Sequence, residues 1–302
     1  LTVDLSGVYP ALTTPFDANG NVSIADFKHN LHRYNQTDLA GYVVLGSTGE
    51  SVLISSKEGE AILAAAKETA APEKRLIAGT GVESTAETIA RTKRAADLGY
   101  QLALVKTPYY YKPVYKPDVY LTHYRAVADA SPIPILLYSV PQLTGVTLET
   151  PEIVALAEHP NIIGMKDSSG SVQRIVEVVA GASSSFQMLT GSASVVMPSL
   201  SAGAVGAILA LASAFPEKCV ALYQLYRQKM YDQARELQGK LALVSKRVVS
   251  EGGIASIKFV MDLRGYRGGV PRAPLPSLNE HAKAAITKVA ASLEPTAVAV
   301  RG

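Results

Sequence analysis

Short runs of aliphatic and β-branched residues recur along the chain, separated by longer stretches whose apolar positions fall at helical spacing. The runs occupy residues 8–13, 42–46, 76–79, 102–107, 135–140, 162–166, 187–190 and 205–209, and most are bounded by Gly, Pro, Ser or Thr. Apolar runs this short, with such boundaries, read as buried strands. From residue 8 to residue 205 they recur about every 28 residues, close to the thirty or so that one βαβ unit takes. The intervening stretches carry helix starts. Ser23, Ser55 and Ser84 each stand before a helical pattern, and Glu58 follows Ser55 by three residues as in a capping box. Pro117 and Pro151 fit first helical turns, and residues 192–202 leave room for only a brief helix. Beyond residue 210 the pattern is helical throughout, over 216–230, 231–249, 254–263 and 280–293. The prediction is an α/β protein: a (β/α)8 TIM barrel over 1–214 with a C-terminal helical extension over 215–302.

Composition narrows the function. The 302 residues carry 29 Lys and Arg against 26 Asp and Glu, a net charge of +3 with no basic run, which excludes a nucleic-acid footprint. The longest apolar stretch, 202–214, contains Gly203, Gly206 and Ser213 and is too short for a membrane helix. Residues 1–5 lack a basic patch followed by an apolar core, and the single Cys suits a reducing compartment, so a cytoplasmic protein is expected. Charged residues make up 18% of the chain, below the roughly 25% usual for soluble domains, which points to surface hidden in an oligomer. Tyr outnumbers Phe by 15 to 5 and Trp is absent.

In this fold the reacting groups sit on the loops after the strands. The second run leads into Gly46-Ser47-Thr48-Gly49-Glu50, a tight turn with the backbone N–H groups to cradle a small anion, or an ordinary glycine-bearing turn with a capping hydroxyl. The fourth leads into Thr107-Pro108-Tyr109-Tyr110-Tyr111-Lys112, whose tyrosines suit either the site or a subunit contact. Tyr138 lies among aliphatic residues at the end of the fifth run and needs a partner for its hydroxyl. Lys166 closes the sixth. A buried ammonium is expensive, so such a lysine serves as a nucleophilic amine unless it pairs with a carboxylate such as Asp167 or reaches solvent. Lys106 is a rival on the same logic. His29 and His32 lie on one helix face with no accompanying ligands, so no metal site is expected. Cys219 reads as buried and inert, and Arg267-Gly268-Gly269 as a turn.

Taken together, Gly-Ser-Thr-Gly-Glu at 46–50, Thr-Pro-Tyr-Tyr at 107–110, Tyr-Ser-Val-Pro at 138–141 with Thr144-Gly145, and Gly-Met-Lys-Asp at 164–167 resemble the dihydrodipicolinate synthase / N-acetylneuraminate lyase family of class I pyruvate aldolases. The resemblance runs from Gly7-Val8-Tyr9-Pro10 to Arg272-Ala273-Pro274-Leu275. Within the family the motifs are most similar to those of 4-hydroxy-2-oxoglutarate aldolases. The resemblance implies that Lys166 forms an imine with pyruvate and that Tyr138 moves protons. It further implies that Ser47 and Thr48, with Gly46, hold the pyruvate carboxylate, Ser47 also joining the relay. Tyr110 would enter a neighbouring subunit's site, making a dimer the minimal unit and a homotetramer the usual form. No metal or organic cofactor is implied; the partners are pyruvate and a small aldehyde or 2-oxo acid. Dihydrodipicolinate-forming enzymes carry an Arg just before Thr-Gly for the second substrate's carboxylate. Here that residue is Leu143, which leaves Ser168 as the candidate for that carboxylate. The expected reaction is cleavage of 4-hydroxy-2-oxoglutarate to pyruvate and glyoxylate. The alternatives are condensation of pyruvate with aspartate semialdehyde, a sugar-acid aldolase or dehydratase, and a silent 2-oxo-acid-binding barrel. Lys106 stands where the family usually has an aliphatic residue.

Overall fold

The computed structural model describes residues 3–293. Eight strands and eight helices make the barrel and its outer ring: β1 (Gly7–Pro10), α1 (Ile24–Tyr34), β2 (Gly41–Val44), α2 (Ser56–Thr69), β3 (Arg75–Gly79), α3 (Thr85–Asp97), β4 (Leu102–Lys106), α4 (Pro117–Ala130), β5 (Ile135–Ser139), the one-turn α5 (Pro141–Thr144), α6 (Thr150–Leu156), β6 (Ile162–Asp167), α7 (Val172–Gly181), β7 (Gln187–Thr190), α8 (Val196–Ser201) and β8 (Gly206–Leu209). Four further helices follow: α9 (Pro216–Arg227), α10 (Tyr231–Ser245), α11 (Gly253–Leu263) and α12 (Glu280–Ala291). All strand pairs are parallel in the order β1-β8-β7-β6-β5-β4-β3-β2. The ring closes where the Leu12 N–H donates to Val43 O and the Ala40 N–H to Val8 O, each at 2.9 Å. The predicted barrel is therefore the observed one. None of the helices is long and apolar enough to cross a membrane.

The strands are apolar on both faces because each face meets its own core. Tyr9, Val43, Ile77, Leu104, Leu136, Leu189 and Ile208 fill the barrel interior. The alternate residues, such as Val105, Leu137 and Met165, pack against the outer helices. A fully buried Leu or Ile contributes about 1.5–3 kcal/mol, so these two faces hold the strand register.

Helix starts follow the serines. Ser55 and Glu58 form the reciprocal capping box at α2, and Ser23 and Ser84 cap α1 and α3. One expected element is interrupted. The helix read over 231–249 ends at Ser245 and continues as a π-helical turn, Lys246–Glu251. The wider turn keeps Val248 buried and delivers the chain to Gly253, whose φ of 62° opens α11. Helical periodicity does not reveal such a bulge.

The described part of the C-terminal extension shares one hydrophobic cluster with the barrel: Leu222, Leu241, Val244 and Val260 pack with Leu31, Tyr34, Ile62 and Leu200. Residues 294–302 of the expected extension lie outside the described residues. Between extension and barrel lies a fully buried ion pair, Lys258 Nζ to Glu50 Oε1 at 2.6 Å. Lys258 also donates to Val270 O at 2.8 Å and lies 4.5 Å from the Phe16 ring centroid. Burial pushes the Lys258 ammonium below the usual lysine range, and Glu50 opposes that shift. Removing one partner strands the other charge in an apolar interior. Lys258→Met and Glu50→Gln are each expected to lower the unfolding free energy by about 3–5 kcal/mol, and the double substitution by less than the sum. Urea denaturation of the four proteins measures this cycle.

Candidate active site at the mouth of the barrel

Strand register assembles the site. Lys106 on β4 pairs with Tyr138 on β5, and Tyr138 with Lys166 on β6. One inward layer below, Leu104 and Leu136 belong to the barrel core, so the next inward positions put two amines on either side of a phenol. Tyr138 and Lys166 are each 4% exposed. Lys166 Nζ stands 4.3 Å from the Tyr138 ring centroid. The carboxylate pairing left open by the sequence is not formed. Asp167 accepts from the Ser169 hydroxyl and backbone, and burial raises it above the usual carboxylate range. Among the described residues no ion pair engages Lys166.

Over this row hangs the turn that ends β2. Leu45 takes a left-handed conformation with φ 60°, bending the chain across the mouth. Gly79 makes the bend possible, since a Cβ there would stand 2.1 Å from Leu45 O. Ser47–Gly49 then form a single 3-10 turn. Gly49 O accepts from the Thr14 hydroxyl at 2.8 Å, and Ser47 Oγ lies 3.3 Å from the Tyr138 hydroxyl. Glu50, also left-handed with φ 58°, reaches down to Lys258 and accepts the Arg272 N–H at 2.8 Å. Gly46, Ser47, Gly81, Leu104, Lys106 and Tyr138 line a small cavity open to solvent.

The remaining predicted residues are spread more widely. Thr48 is buried in the turn. Tyr110 does not enter the site of its own chain: it is 71% exposed and packs edge-to-face on Tyr111 at 5.0 Å. Its loop is held by Glu83, whose Oε2 accepts the N–H groups of Tyr109 and Tyr110 at 2.9 and 2.8 Å. Ser168 does not line the cavity beside Ser47. Its N–H donates to Ser139 O, its carbonyl accepts from Gln142, and its hydroxyl lies where a Cβ on Gly191 would come within 2.0 Å. Leu143 on α5 is 65% exposed. Lys112 reaches the same corner, since a Cβ on Gly145 would stand 2.7 Å from its ammonium. Cys219 is buried, which pushes its thiol up. His29 approaches only Gly265 O, and no group of three His, Cys, Asp or Glu residues among those described is placed to hold a metal.

Sequence reading missed Glu50 and Glu83. Both follow strand ends, the position that flags working residues in this fold, but each acts on backbone or on a distant lysine that spacing does not reveal.

An amine without a carboxylate partner, set beside a phenol under a hydroxyl-rich turn, is the donor set of an imine-forming barrel enzyme. The chain belongs to the dihydrodipicolinate synthetase family, whose profile matches residues 4–293. It is accordingly a carbon–carbon lyase of the Schiff-base-forming class. It is 35% identical over 279 residues to the 4-hydroxy-tetrahydrodipicolinate synthase of Exiguobacterium sp. strain AT1b, covering 92% of this chain and 94% of that one. It is 36% identical over 283 residues to the "Probable 4-hydroxy-2-oxoglutarate aldolase, mitochondrial" of Emericella nidulans, covering 91% of each. Among solved structures, a dihydrodipicolinate synthase from Bacillus anthracis superposes with a TM-score of 0.92 at 26% identity, over 97% of this chain and all of that one (100%).

Because Glu83 holds two backbone donors of the tyrosine loop, Glu83→Ala leaves both without that acceptor. Hydrogen exchange at Tyr109 and Tyr110 is expected to speed up by roughly 10- to 100-fold, about 1–3 kcal/mol of local opening, with the strand amides unchanged.

Proposed function

We propose that Lys166 is the imine-forming residue of a pyruvate-dependent aldolase and that Tyr138 moves its protons. The observation that carries this reading is the register of β5 and β6, which sets an unpaired lysine against the face of a tyrosine. The Lys166 amine adds to the C2 ketone of pyruvate and water leaves. The resulting iminium draws electrons from C3, and loss of a C3 proton gives the enamine. The enamine carbon attacks an aldehyde carbon while Tyr138 delivers a proton to the aldehyde oxygen, and hydrolysis frees Lys166. Cleavage runs the same steps backward: Tyr138 takes the C4 hydroxyl proton as the C3–C4 bond breaks, and the electron pair moves into the iminium. Ser47 and Thr48, with the Gly46 turn, would hold the pyruvate carboxylate through turn N–H groups and hydroxyls. Tyr110 is exposed enough to reach a second copy of the chain, which supports a dimer, or a tetramer built as a dimer of dimers, as the working form. A cytoplasmic location suits the single buried thiol.

The second substrate has two readings, each with its own support. The relatives favour condensation with aspartate semialdehyde over the cleavage expected from the motifs, since most of those similar to this chain are named 4-hydroxy-tetrahydrodipicolinate synthase. Leu143 favours cleavage of 4-hydroxy-2-oxoglutarate, because an aliphatic side chain cannot grip a carboxylate as a guanidinium does. The relative from Emericella nidulans bears that activity in its name.

Borohydride reduction with pyruvate is expected to place a single adduct on Lys166, read by peptide mass; label on Lys106, or none, overturns the assignment. Tyr138→Phe is expected to lower kcat by about 10²–10⁴-fold, the usual worth of a positioned acid–base group. Pyruvate release from 4-hydroxy-2-oxoglutarate, measured beside pyruvate consumption with aspartate semialdehyde, separates the two substrate readings. Leu143→Arg is expected to raise kcat/KM for aspartate semialdehyde by roughly tenfold or more.

A further inference from the structure

Lys106 is unexplained by the chemistry above. It ends β4 in the same inward row as Tyr138 and Lys166, on the opposite side of Tyr138 from Lys166. Its ammonium lies 4.8 Å from the Tyr109 ring centroid and, among the described residues, makes no hydrogen bond or ion pair. It lines the cavity that also holds Ser47 and the Tyr138 side chain, whose hydroxyls are 3.3 Å apart. The charged and titratable groups around it are Glu83 from the loop before α3, Arg91 on α3, Tyr109 from its own loop and Tyr138 on β5. Glu83 is already engaged by the N–H groups of Tyr109 and Tyr110. Burial therefore presses on this ammonium, lowering its affinity for the proton, with Glu83 the largest opposing influence.

A half-buried cation without a partner is costly in a resting protein, and the cost falls when negative charge develops beside it. In the proposed reaction that charge develops on the Tyr138 oxygen each time it gives up its proton, next to the Ser47 hydroxyl. We propose that Lys106 is a positioning residue of the proton relay: its ammonium stabilises the charge that grows on Tyr138 during transfer. This rests on Tyr138 being the proton carrier, and it assigns Lys106 a part distinct from that of the imine-forming amine. The cavity between Ser47, Gly81, Lys106 and Tyr138 gives the relay an opening toward solvent on the side away from Lys166.

The test is a double-mutant cycle on the full chain, with pyruvate and whichever aldehyde the wild type consumes. Lys106→Met keeps most of the side-chain length and deletes the charge. It is expected to lower kcat by about 10- to 100-fold while shifting the KM for pyruvate less than about threefold, and Lys106→Arg should recover most of the loss. In a Tyr138→Phe background the same substitution should cost less than about threefold, because the charge it serves is gone. Removing an ammonium that burial disfavours and no ion pair holds should leave the melting temperature no lower, so a folding failure would be visible. Several results overturn the proposal: an unchanged kcat, losses that multiply with those of Tyr138→Phe, or a loss confined to the KM of carboxylate-bearing aldehydes and absent with uncharged glycolaldehyde. The last would make Lys106 an anion-binding group. The underlying reading fails separately, if the wild type gives no borohydride adduct on Lys166.

Discussion

The buried pair of Glu50 and Lys258 is the constraint on which the arrangement of the site depends. Glu50 ends the Gly-Ser-Thr-Gly-Glu turn in a left-handed conformation, an unfavourable one for a residue with a Cβ to hold unaided. What holds it is charge. Lys258 rises from α11 and meets its carboxylate where neither side chain touches water. Ions buried in this way are not a source of net stability by themselves, since the desolvation of both offsets their attraction. They are, however, intolerant of displacement. A turn that slid by an ångström or two would separate the charges in a low-dielectric interior, so the pair sets where Ser47 and Thr48 sit. Arg272 adds a second tie, donating its N–H to Glu50 and its guanidinium to Glu58 while lying over Phe16 at 4.3 Å. The C-terminal helices thus take part in the site without contributing a residue to its mouth.

Opposite this turn, the strands bring two lysines and a tyrosine together by register alone. Parallel pairing fixes Lys106, Tyr138 and Lys166 at one level, because a slip of one residue would send each to the outer face and bring Val105, Leu137 and Met165 inward. Such a slip would drive the two amines and the phenol into the apolar layer under the outer helices, a burial of polar groups that costs several kcal/mol. The hydrophobic faces of three strands therefore enforce a polar cluster that would not assemble from its own interactions. Lys106, Tyr138 and Lys166 are thus placed by strand register, whereas Tyr110 and Leu143 stand exposed outside the strands.

That division explains what could be read from the chain. The barrel was legible because eight apolar runs at a regular pitch admit few other architectures, and Lys166 and Tyr138 stood out as polar residues ending apolar runs. The capping serines predicted three helix starts for the same local reason. What escaped depended on contacts across long separations. Glu50 finds Lys258 over 200 residues away, and Glu83 binds backbone N–H groups, which carry no residue signature. The π turn at 246–251 escaped because one extra residue in a helix leaves the apolar period nearly intact. Ser168, the candidate for the second carboxylate, lies against Gly191, and nothing in the spacing signals that the following loop turns back.

Substrate choice falls on the looser part. Leu143 stands on a one-turn helix that no strand register fixes, with Lys112 reaching the same corner from the tyrosine loop. Changing a residue there leaves Lys166, Tyr138 and the Ser47-Thr48 turn untouched, because those are fixed by burial and register on the far side of the mouth. Relatives at 32–36% identity that bear two different activity names are what such a division produces. Lys166 and Tyr138 are buried at the ends of strands packed between two cores, whereas Leu143 stands exposed outside them. Lys106 lies with the first group, in the last inward layer of the barrel, and by that position its proposed role falls on proton transfer rather than on the choice of aldehyde.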